Sequence, residues 1–157
     1  MDALPFSLRV PGKDVVELSH ASSTQFKFHG FLRVGDGELL FEWSGTAKVE
    51  EVGLLGVDTR TLSLPYESLA LSLDRIGAIA LRGGWWRPYL EVTGNDLKAL
   101  RIIPGEGQGR VRLWLTRSHR ELAAAVIAAV ESGKRGALRP RSTLQPARTP
   151  PDGVDPA

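Results

Sequence analysis

Between Phe26 and Val34 the chain alternates: Phe26, Phe28, Leu32 and Val34 take turns with Lys27, His29 and Arg33. After Gly35-Asp36-Gly37 the pattern resumes, with Leu39, Phe41 and Trp43 set against Leu40, Glu42 and Ser44. A period of two sends one set of side chains to a core and the other to solvent, so this spacing predicts a β-hairpin closed at the Asp-Gly turn. In "GVDTRTLSLP", Val57, Thr59, Thr61 and Ser63 alternate with Leu62 and Leu64, and Pro65 is expected to end that strand because it brings no N–H to a ladder. The stretch "YESLALSLDRIGAIALRGGWWRPYLEVTGN" reads as three more strands, broken near residues 74–77 and at Gly83-Gly84. A short turn of helix at "NDLKAL" and a glycine-rich loop, "IPGEGQGR", lead to the last strand, "GRVRLWLTR". There Val111, Leu113 and Leu115 face one way, and Arg112 and Trp114 the other.

The period then changes. Leu122, Val126 and Val130 recur every four residues beside Ala125 and Ala129, a narrow apolar stripe that predicts one amphipathic helix docked closely on the sheet. Ser118 and Glu121 have the spacing of a capping box at its start, and Gly133 is placed to end it. Residues 1–23 form an N-terminal extension with an extra strand expected over 14–18, and residues 24–133 form the domain. Residues 134–157 are a tail, rich in proline and arginine and poor in large apolar side chains, that buries too little surface to offset ordering entropy.

About seven antiparallel strands followed by one C-terminal amphipathic helix resembles the pleckstrin-homology (PH) superfold, and within it the bacterial PH-like domains. The resemblance rests on the order of four segments: the "HGFLRVGDGELLFEW" hairpin, the "LSLPYESLALSL" passage, the "GRVRLWLTR" strand and the "SHRELAAAVIAAVESG" helix. It implies a mainly β, partly open barrel plugged by the helix. It implies little about function, since that scaffold serves lipid, peptide and protein binding alike.

Charge removes one class of partner. The chain's net charge is +2, but residues 133–157 alone carry five basic and two acidic groups, leaving the 132 residues before them at −1. A folded nucleic-acid reader concentrates positive charge, and this domain has no net surplus to concentrate. The loop "RVGDGEL" opposes Arg33 with Asp36 and Glu38, so it lacks the converging cations of a phosphoinositide site. The chain shows no apolar run long enough to cross a bilayer and no signal-peptide pattern, which predicts a cytoplasmic protein.

Chemistry is thin. The absence of cysteine removes disulfides, thiolate nucleophiles and Cys-ligated metals. His20, His29 and His119 lack metal-ligand spacing, and the glycines of "IPGEGQGR" precede a strand where a phosphate-cradling loop would precede a helix. No catalytic residue, cofactor site or metal site is expected.

The aromatics remain. In "GGWWRPYLEV", period-two reading turns Trp86, Pro88, Leu90 and Val92 inward and Trp85, Arg87, Tyr89 and Glu91 outward. Trp114 and Phe31 oppose the core residues of their own strands, so Phe31, Trp85, Arg87, Tyr89 and Trp114 are the candidates for one outer interaction patch. Pro88 suits an edge strand. A patch of this kind has three readings: a surface for self-association or a protein partner, a surface covered by the chain's own N-terminal segment, or a stacking platform for a small ligand. The first makes the protein a non-enzymatic interaction or assembly module and a homo-oligomer. The alternative function is a small-molecule or lipid-binding domain whose ligand enters the barrel opening.

Overall fold

The computed structural model describes residues 2–17 and 19–137. Its strands are β1 (Leu4–Leu8), β2 (Lys13–Glu17), β3 (His20–Gly35), β4 (Glu38–Gly53), β5 (Gly56–Ser72), β6 (Ile76–Gly83), β7 (Pro88–Gly94) and β8 (Arg110–Trp114), followed by the helix α1 (Arg120–Ala137). All pair antiparallel, and the sheet runs β5-β4-β3-β1-β8-β7-β6 without closing into a barrel. The fold is mainly β, with one C-terminal helix against a partly open sheet. The extra strand expected over 14–18 is present as β2, paired with β3 beyond the end of β1; Leu18 lies outside the described residues.

The first hairpin forms as its alternation requires. Gly35 pairs with Glu38, leaving Asp36 (φ 51°) and Gly37 (φ 76°) as a two-residue turn with both central residues left-handed, the geometry whose twist suits a β-hairpin. Leu32, Leu39, Phe41 and Trp43 are buried, as are Leu90, Val92, Val111, Leu113 and Leu115 from the other half of the sheet. Ala123, Val126 and Val130 of α1 close the same core. Between β7 and β8 the chain makes turns, where a short helix was expected at "NDLKAL", and drops Ala99, Leu100 and Ile103 into one end of the core. Asp96 holds that turn by accepting from the Lys98 N–H at 2.8 Å and from Arg75 at 3.3 Å; the Lys98 bond, ahead of Arg75, keeps its carboxyl below the usual range.

Six features differ from expectation. The strand at the amino end, β1, was not anticipated, although Leu4, Phe6 and Leu8 alternate with Pro5 and Ser7 and are buried; five residues interrupted by a proline are a weak periodic signal. Pro65 does not end β5. The strand runs through it to Ser72, with a register shift opposite Trp43 and Gly45, because β5 is an edge where a missing N–H costs no ladder bond. Pro88, by contrast, is not on an edge: β7 lies between β6 and β8, and the proline is tolerated as the strand's first residue.

The helix differs at both ends. Ser118 and Glu121 form no capping box: Ser118 sits in a 3-10 turn, Arg117–His119, and its hydroxyl meets that of Thr116 at 2.9 Å. Gly133 does not terminate α1, which continues to Ala137. A Cβ there would strike the Leu73 side chain, so the glycine serves close approach of the helix to the turn between β5 and β6. The buried stripe carries Ala123 where Ala125 was expected, and Ala125 is exposed. Of the tail, residues 138–157 lie outside the described residues. No helix among the described residues is long and apolar enough to cross a membrane.

Candidate functional site

One row of outward residues crosses five strands. His29 on β3 pairs with Ser7 on β1, Ser7 with Trp114 on β8, Trp114 with Tyr89 on β7, and Tyr89 with Arg82 on β6. The outward assignment of Tyr89 and Trp114 therefore holds, and cross-strand pairing sets their rings 4.8 Å apart between centroids, tilted by 48°. The pair does not lie open. Arg9, just beyond β1, lays its guanidinium 3.7 Å from the Trp114 ring centroid, and Arg112 stands 5.3 Å from that of Tyr89. Arg9 of the N-terminal segment thus lies over the Trp114 ring.

The other predicted residues fall elsewhere. Phe31 is 49% exposed on β3, separated from β8 by β1, with Pro5 and Glu42 as cross-strand neighbours. Trp85 and Arg87 are exposed in the β6–β7 connection and belong to no strand. Trp86, expected in the core, is 77% exposed. The reason is the turn: Gly83 pairs with Pro88, so residues 84–87 form a four-residue loop in which strand alternation does not apply. Leu90, the other residue assigned to the core, is fully buried.

In that loop a second aromatic group forms. Arg117 places its guanidinium 4.4 Å from the Trp85 centroid and 5.0 Å from that of Trp86, and Arg120 lies 5.2 Å from Trp85. Arg120 also donates to the Gly84 carbonyl at 3.4 Å, tying the loop to the start of α1. An open cleft of about 870 Å³ runs beside them, lined by Leu81, Trp85, Thr116, Arg117, Arg120 and Glu121 among others. Arg117 and Arg120 were not singled out from sequence. They lie some thirty residues from the tryptophans, and only the return of the chain from β8 into α1 brings them together.

Further out on the sheet, Glu42 on β4 accepts a hydrogen bond from the Tyr66 hydroxyl and pairs with Arg33 at 3.4 Å. The bond to Glu42 raises the Tyr66 pKa above its ordinary 10.0, because it holds the proton the phenol must release. His29 and His119 share a small cleft with Ser7 and Thr116, and the Thr116 hydroxyl meets His119 Nδ1 at 2.8 Å. No carboxylate lines that cleft, so it has no third member to orient a histidine as a base. Among the described residues no cluster of three or more His, Asp or Glu side chains could hold a metal ion. The chain matches no family model, no curated protein and no solved structure.

Proposed function

We propose that the protein is a non-enzymatic, cytoplasmic PH-like module that assembles with a second copy of itself, and that the surface used is the free edge of β5. The reading rests on one observation: β5, of 17 residues, has β4 on one side and, among the described residues, no strand on the other. An edge of that length presents a row of unpaired N–H and C=O groups and is a template for another strand. Its side chains do not repel apolar contact, since Val57, Leu62 and Tyr66 are exposed along it and Leu54 and Leu55 at the turn before it. A two-fold axis at Thr59 would set Asp58 of each copy opposite Arg60 of the other, a register that charge favours twice.

This relocates the interaction surface from the aromatic residues to the opposite end of the sheet, because Trp114 and Tyr89 are partly covered and β7 is internal. The small-molecule or lipid alternative draws less support: the space between sheet and helix is occupied by Trp43, Phe41, Leu32, Leu39 and Leu113, all buried. Light scattering at micromolar concentration, compared with Val57→Lys/Leu62→Lys, tests the reading. The wild-type chain is expected as a dimer or larger and the double variant as a monomer with unchanged circular dichroism. A wild-type monomer, or an oligomer indifferent to both lysines, overturns it.

A further inference from the structure

The Trp85–Trp86 loop and the start of α1 hold an unbalanced charge. Arg117 and Arg120 both lie within about 5 Å of the same indole ring, so two like charges are gathered at one spot. Arg87, in the loop, and Arg82, at the end of β6, are exposed nearby. By contrast, Arg33, Lys48, Arg60, Arg75 and Arg112 each pair with a carboxylate. Among the described residues none of Arg82, Arg87, Arg117 and Arg120 does so. Glu121 lines the cleft without reaching either Arg117 or Arg120 as an ion pair.

Such an arrangement holds the guanidinium groups against the indole rings; Arg120 gives one N–H to the Gly84 carbonyl, and an arriving carboxylate can be met by the remaining N–H groups. The lining beside them is apolar at Leu81, Trp85 and Ala124. We propose that this cleft is a binding site for an acidic, leucine-bearing segment of a partner protein. Carboxylates would meet Arg117 and Arg120, and an apolar side chain would lie against Leu81 and Ala124.

Two other anionic partners fit the geometry less well. Single-stranded nucleic acid needs open aromatic faces for base stacking, and Trp85 already carries two guanidinium groups. A bilayer surface would meet Trp86, which is exposed, but not Leu81, which is half-buried. The site is independent of the β5 edge, since Leu81, Trp85 and the helix start stand at the β6 end of the sheet.

The test uses the full chain and a fluorescein-labelled peptide of alternating glutamate and leucine, about ten residues long, followed by anisotropy. The expected result is saturable binding that weakens as salt rises from about 50 to 500 mM, as screened ion pairs do. Arg117→Gln/Arg120→Gln should weaken it by at least about tenfold, the scale of losing charge-assisted hydrogen bonds. Arg101→Gln, an exposed cation outside the cleft, should bind as the wild type does. Failure of the acidic peptide to bind, or equal binding by the double variant, overturns the proposal. So does tighter binding, through the same two arginines, of phosphatidylserine vesicles or oligothymidine than of the peptide.

Discussion

The sheet has two halves that use the same alternating pattern to different ends. In the helix-backed half, β1, β6, β7 and β8 are five to eight residues long, and their buried side chains join the core that α1 closes. In the other half, β3, β4 and β5 are 16 or 17 residues long and outrun the core. Past Phe28, Gly45 and Leu64 they continue as a ribbon, joined by β2, whose side chains are largely exposed or half-buried on both faces. Backbone pairing therefore extends well beyond burial. A ribbon without a core beneath it is held by ladder bonds, by the cross-strand pair Arg60–Glu51 and by Lys48–Glu50 along β4, and exposed ion pairs contribute little each.

The sharpest way to break that comparison is substitution in each half. Trp43→Ala empties the largest fully buried side chain and should cost about 3–5 kcal/mol, whereas Leu55→Ala at the ribbon's turn should stay within about 0.5 kcal/mol, both read from urea unfolding. Equal losses would mean the ribbon is packed as tightly as the core. Gly30→Ala comes next, since a Cβ at that position would meet the Glu42 carbonyl and the Phe6 ring where β1 joins β3. It should cost about 1–3 kcal/mol by overpacking. The smallest effect concerns Tyr66, on the outer face beside β4. Glu42→Gln should bring its titration, followed by phenolate absorbance, back down toward 10.0. The sign for stability follows: the folded protein holds this proton to higher pH than the unfolded chain. The contribution is therefore present below the ordinary value and lost as pH rises through the raised one.

What could be read in advance divides along the same line. Leu39, Phe41, Trp43, Val111 and Leu113 are buried where period two placed them, because each sits in a strand with one face on the core. Pattern failed where that condition lapsed. Trp86 lies in a turn, β5 has no covered face over Gly56–Ser63, and as an edge strand it carries Pro65 without losing a ladder bond. The candidate patch was half legible: Tyr89 and Trp114 meet as outward neighbours, but the order of strands, which inserts β1 between Phe31 and Trp114, is not encoded in any local period. The arginines that stack on the indoles come from segments distant in sequence, and nothing short-range signals such an encounter.

The position of β1 has a consequence for how the chain assembles in time. Five residues near the amino end pair with β3 on one side and, through Ser7 opposite Trp114, with β8 on the other. Among the described strands this is the sole bridge in the sheet order between β3–β5 and β6–β8. A strand emerging early in synthesis must wait for more than a hundred later residues before its second partner exists. Until then the carboxyl half has no seam to join, so the last long-range closure, rather than the early hairpin, sets when the sheet becomes continuous.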